Sequence, residues 1–110
     1  MEGAHEALEM RVAELVSQGR VPFVVGGGND QSAANGRGLL RAKANEGRVG
    51  VINIDAHLDV RPLLNEGVGG AHSGSPFREL LEDGRLNGRD FVEFAAQGNQ
   101  VYNTLFHWNY

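Results

Sequence analysis

Apolar residues recur at helical spacing at the start of the chain. Ala4, Leu8, Val12, Leu15 and Val16 share one stripe, with Glu2, Glu6, Glu9 and Arg11 between them. That period predicts an amphipathic helix stopped by Gly19. Pro22, Phe23, Val24 and Val25 form a short apolar run that reads as a strand, with Pro22 at its first residue, and Gly26 to Gly28 end it. A second helix is expected from Asn29 to Ala44, capped by Asn29, Asp30 or Ser32 and burying Ala33, Leu40 and Ala44. Gly36 and Gly38 work against it, each costing ~1 kcal/mol relative to Ala in a helix. Val49 to Ile54 is apolar on both faces, as in a central parallel strand covered by helices. Ser75 and Pro76 then read as N-cap and first residue of a third helix with Phe77, Leu80 and Leu81 as its stripe. From Phe91 to Ala96, Phe91, Glu93 and Ala95 alternate against Val92, Phe94 and Ala96, which predicts a third strand.

This alternation of helices and strands predicts an α/β fold: a parallel sheet with helices on its faces, in three α/β/α layers. The length, 110 residues, suits one domain. Hydrophobic residues make up 41 % and charged residues 22 %, a globular balance. The net charge of −4 argues against binding nucleic acid through its phosphates. No apolar run approaches the roughly 18 residues that span a bilayer, so no membrane partner is expected. There is no Cys, which excludes disulfides and thiolate metal sites and fits a cytoplasmic setting. Sixteen glycines are about twice the usual share and mark tight turns and close approaches to a ligand. The tail, residues 101–110, carries both tyrosines and the only tryptophan, which points to a longer parent chain.

Asp55-Ala56-His57-Leu58-Asp59 follows the central strand directly. In extended chain the two carboxylates and the imidazole project together. They stand where open parallel sheets bind ligands, beyond the C-terminal strand ends. These donors suit Mn, Fe or Zn, and the carboxylates can bridge two metals. The bland alternative makes Asp55 and Asp59 loop caps and His57 their hydrogen-bonded partner. Gly26-Gly27-Gly28-Asn29-Asp30 lacks both the G-x-G-x-x-G spacing and a phosphate-binding Lys. It is an anion cradle, a simple strand-to-helix turn, or a loop that brings Asn29 or Asp30 to the same crevice. His72 and Ser73 precede the third helix and either face the crevice or are solvated loop residues. His5 and His107 read as surface or packing residues.

Together these segments resemble the ureohydrolase (arginase/agmatinase) family, most of all its formiminoglutamase branch. Val24 to Asp30 is similar to the family's first metal motif. Ile54-Asp55-Ala56-His57-Leu58-Asp59-Val60-Arg61-Pro62 matches the second closely, and Ser73-Gly74-Ser75-Pro76-Phe77-Arg78 resembles the third. The resemblance implies a partial arginase-like fold around an eight-stranded parallel sheet, with two Mn2+ ions that hydrolyse a C–N bond at an amidine-type carbon through metal-activated hydroxide. It implies Asp55 bridging both ions, His57 on one and Asp59 on the other, with Asp55 and His57 as the catalytic centre. For this branch the reaction is N-formimino-L-glutamate to L-glutamate and formamide. Arg61, Ser73 and Arg78 are candidates for orienting the small-molecule substrate, since an Arg fork or a hydroxyl suits its carboxylate. A homo-oligomer is expected, as in the family.

Two departures stand out. Asn29 occupies the place of a family His ligand, and a neutral amide oxygen holds metal more weakly. The family's later D-x-D-x-x-D segment has no counterpart: Asp occurs only at 30, 55, 59, 83 and 90, and nothing acidic follows Glu93. Residues 1–110 are therefore expected to be part of a single arginase-like α/β domain, truncated at the C-terminal side, inactive alone and prone to self-association. The alternative is a structural or regulatory protein with a degenerate metal site.

Overall fold

A computed structural model of the chain describes residues 2–57, 59 and 75–97. Its elements, in order, are α1 (Glu2–Ser17), α2 (Gln31–Lys43), β1 (Val51–Ile54), α3 (Pro76–Glu82), a 3-10 turn (Gly88–Asp90) and β2 (Phe91–Phe94).

α1 and α2 lie against each other through Val12, Ala13, Val16, Ala33 and Ala34, all buried. Gly38, one of the two glycines that weaken α2 on propensity, permits this approach. A Cβ on Gly38 would stand 2.7 Å from the Glu9 carbonyl oxygen and 2.7 Å from Val12 Cβ. A Cβ on Gly36 would press on the side chain of Leu80 in α3. Glu9 adds a polar tie, accepting from Arg37 at 3.0 Å and from Arg41 at 3.4 Å. The expected cap of α2 is replaced. Asp30 holds the N-cap position without a side-chain cap bond. Its carboxylate instead meets His5 Nε2 at 2.6 Å, and both side chains are largely buried.

β1 and β2 pair in parallel, with Val51 opposite Phe91, Ile52 opposite Val92, Asn53 opposite Glu93 and Ile54 opposite Phe94. Side chains alternate across a strand. One face therefore carries Val51, Asn53, Phe91 and Glu93, and the other Ile52, Ile54, Val92 and Phe94. The first face is half-buried above a core of Leu40, Val49, Phe77, Leu80 and Leu86. Phe77 and Phe91 join helix to strand, with ring centroids 5.1 Å apart. The second face is exposed. Helices packed on a parallel sheet are the α/β arrangement the sequence predicts; among the described residues α2 and α3 cover the first face.

Two expectations change. Residues 22–25 form no strand: a strand needs a ladder partner, and Phe23 and Val25 are 92 % and 80 % exposed with none beside them among the described residues. β1 and β2 are also shorter than their apolar runs. β2 stops at Phe94 because Ala95 turns into the left-handed region at φ 71°. Residues 60–74 and the aromatic tail lie outside the described residues. No helix among the described residues is long and apolar enough to cross a membrane.

Candidate metal centre

β1 delivers its chain to the site as the sequence implies, but the geometry there is a bend rather than continued strand. The ladder persists for two more bonds: Asp55 N–H donates to Phe94 O at 3.1 Å, and Gln97 N–H donates to Ala56 O at 3.0 Å. Residues 55–57 then bend. Strand alternation therefore does not bring the donors together; the turn does. Asp55 Oδ1 accepts from the His57 backbone N–H at 2.9 Å and lies 3.2 Å from His57 Nδ1. The backbone donor, followed by the imidazole, holds the Asp55 carboxyl below its ordinary range.

Asp59 is buried at 7 % exposure, with its backbone in the left-handed region at φ 54°. Asp tolerates this conformation better than most residues. The turn has a visible use. The Asp59 carbonyl accepts from Phe77 N–H at 3.1 Å and from Arg78 N–H at 3.4 Å, so it caps the start of α3. Ser75 holds the N-cap position as expected, but its side chain makes no cap bond. The Asp59 carboxyl is raised above its ordinary range, first by burial and further by the Asp55 charge, against the opposing bond from Asn29.

Asn29 reaches the crevice, which selects among the three roles open for the glycine turn. Its Nδ2 donates to Asp59 Oδ2 at 2.6 Å, and its Oδ1 accepts from Ser32 Oγ at 3.0 Å. Gly26 and Gly27, with φ of 92° and 80°, take backbone that other residues rarely adopt, and a Cβ on Gly27 would collide with Gln31. A cleft of about 350 Å³ opens beside this turn, lined by Val24, Gly26 to Asn29, Gln31, Ser32 and Asn35.

Asp55, His57, Asp59 and Asn29 are thus brought into one neighbourhood from two chain segments. They do not form a closed cage: among the described residues, no three His, Asp or Glu side chains converge tightly enough to hold an ion. The donor chemistry still fits a divalent cation. Two carboxylates crowd each other, one of them buried, with an exposed imidazole next to them and no Lys or Arg among the bonds described for either acid. Of the substrate candidates, Arg78 sits in the first turn of α3 and bonds Glu82 at 3.1 Å. Arg61 and Ser73 lie outside the described residues, as do His72 and His107.

One pair was not singled out from sequence. Asn53 Nδ2 donates to both carboxylate oxygens of Glu93, at 3.0 and 3.1 Å. The available signal was a lone acid and a lone amide, each inside an otherwise apolar strand.

The model of the Arginase family matches residues 1–107, and the chain belongs to that family. Formimidoylglutamase from Aeromonas hydrophila is 41 % identical over 104 residues, which are 94 % of this chain and 32 % of that protein. The Klebsiella aerogenes protein of the same name is 36 % identical over 109 residues, covering 99 % of this chain and 46 % of its own. Among solved structures, Trypanosoma cruzi formiminoglutamase with Mn2+ superposes with a TM-score of 0.86 at 56 % identity, over 94 % of this chain and 34 % of that one. Formimidoylglutamase from Bacillus subtilis gives 0.82 at 25 % identity, over 94 % and 31 %. The chain spans about a third to a half of the length of these relatives.

Proposed function

We propose that this site serves Mn2+-dependent hydrolysis of a C–N bond at an amidine-type carbon. The reaction is N-formimino-L-glutamate plus water to L-glutamate and formamide. The observation that carries this is the carboxylate pair Asp55 and Asp59 at the exit of a parallel strand, with His57 on Asp55 and Asn29 on Asp59. The names of the relatives support catalysis over a purely structural role.

Asp55, His57 and Asp59 would hold the metal, with Asn29 as the weaker fourth candidate. Mn2+ in such a site supplies a water of lowered pKa and a positive charge for the developing transition state. The chain's own groups prepare for that. The His57 backbone N–H fixes the Asp55 carboxylate. The Asn29 amide fixes the Asp59 carboxylate, whose crowding by Asp55 a cation relieves. Arg78, with Arg61 and Ser73, is assigned to the substrate carboxylate. A homo-oligomer in the cytoplasm completes the proposal.

The test is glutamate release from N-formimino-L-glutamate by the longer enzyme expected to contain this chain, stripped with EDTA and reloaded with graded Mn2+; residues 1–110 alone are expected to be inactive. Release should rise with Mn2+ and vanish in Asp55→Ala. Metal-independent release, or better turnover of arginine or agmatine, would overturn the assignment.

A further inference from the structure

The metal-bearing segment leaves β1 one residue after a polar cross-strand pair. Asn53 and Glu93 are register partners, and one amide nitrogen grips both carboxylate oxygens at 3.0 and 3.1 Å. Their neighbours along each strand are Val51, Ile52 and Ile54, and Phe91, Val92 and Phe94. An apolar pair at this half-buried level would strengthen a two-stranded ladder without the cost of desolvating a carboxylate. The polar pair therefore calls for a local reason. Asp55 is the next residue but one, and its N–H continues the ladder to Phe94 O. The Asn53–Glu93 bonds thus fix the distance and twist between the strands one register step before β1 ends at Ile54. The Asp55 and Asp59 charges both raise the Glu93 carboxyl, so Glu93 lies within electrostatic reach of the donors.

We propose that Asn53 and Glu93 are positioning residues: a side-chain clamp that sets where β1 ends and so holds Asp55 and Asp59 in geometry for a divalent cation. This rests on the metal assignment above. The clamp acts through hydrogen bonds between two side chains and does not depend on the Glu93 charge. Gln keeps one of the two bonds, because its amide oxygen accepts from Asn53 while its NH2 cannot. Partners that orient metal ligands typically change affinity by ~10–100-fold when removed.

The experiment is Mn2+ titration of the full chain, read by the electron paramagnetic resonance of free Mn2+, with far-UV circular dichroism on every variant. Glu93→Ala and Asn53→Ala should each weaken Mn2+ binding by ~10-fold or more while the helices persist. Glu93→Gln should stay within about threefold of wild type, and the double Ala variant should bind no worse than either single one. A folded Glu93→Ala with wild-type affinity overturns the clamp. So does a Glu93→Gln variant as weak as Glu93→Ala, which would assign the effect to charge. If both Ala variants unfold while Glu93→Gln does not, the pair is a requirement of the sheet alone and the specific role falls. Failure of the underlying assignment looks different: wild type takes up no Mn2+, or Asp55→Ala takes up as much as wild type. In either case the clamp falls with it.

Discussion

Gly38→Ala offers a sharp test of how the two long helices meet. On intrinsic propensity alone the change should stabilise α2, by up to ~1 kcal/mol. The packing opposes it. The new methyl would sit 2.7 Å from the Glu9 carbonyl oxygen, 2.7 Å from Val12 Cβ and 2.8 Å from Val12 Cγ1. The first is helix backbone, and the second is fixed to it by one bond, so neither can swing aside. Relief requires α1 and α2 to separate, and overpacking of this kind costs ~1–3 kcal/mol. The packing term wins, for a net loss of about 1–2 kcal/mol and a Tm lower by roughly 5–10 °C in a domain of this size. Gly36→Ala is the internal comparison. Its methyl meets the δ-methyls of Leu80, the end of a side chain, which can rotate in part. Its cost should be smaller, about 0–1 kcal/mol after the propensity gain. Gly3→Ala meets nothing within 4 Å and should be neutral or slightly stabilising. Urea unfolding followed by circular dichroism at 222 nm measures all three. A Gly38→Ala protein as stable as wild type, or a Gly36→Ala protein that loses more, would refute the close-approach account.

Three further outcomes are expected. Burial, and then the Asp55 and Asp59 charges, raise Glu93 from 4.5 to about 7. The fold therefore favours its protonated form: its contribution is intact below pH 4.5 and is lost as pH rises through 7. Discounted for the solvent-exposed part of the side chain, the loss is about 1 kcal/mol in metal-free protein, and Glu93→Gln should remove that slope from a pH series of urea midpoints. Asp59→Asn should weaken Mn2+ uptake yet leave metal-free stability at neutral pH equal or higher, since it removes a crowded, buried carboxylate; calorimetry with and without Mn2+ separates the two effects, and a lower Tm without metal would contradict it. His5→Ala breaks the largely buried contact to Asp30 and should cost about 1–2 kcal/mol by thermal melting; an unchanged Tm would show that the contact contributes nothing.

Periodicity located all three helices, because each buries a stripe against a neighbour near in sequence. It also located β1 and β2, whose apolar runs exceed the paired length. It misread residues 22–25, since an apolar run marks the capacity to pair and says nothing about whether a partner stands beside it. The Asp55, His57 and Asp59 spacing was legible as chemistry, and the family resemblance assigned the metal. The means of convergence was not legible. The bend at residues 55–57 and the left-handed Asp59 arise from hydrogen bonds to Phe94, Phe77 and Arg78, which are 18 or more residues away in sequence. The Asn29–Asp59 bond likewise joins residues 30 apart. Asn53 and Glu93 are inconspicuous singly and acquire meaning only through the register that pairs them.

That register also sets an order of events as the chain folds. α1 and α2 are consecutive and need only a short connection to close upon each other. Val51 must find Phe91 across 40 positions, with α3 between them in sequence. Closing the larger loop carries the greater entropic penalty, and contacts distant in sequence form more slowly. The helical hairpin should therefore assemble first and the β1–β2 ladder later. Asp55 and Asp59 take their places only with that second step. A ligand that binds them acts on the late-forming half of the molecule, and its effect should appear mainly as slower opening of the sheet rather than faster collapse of the helices.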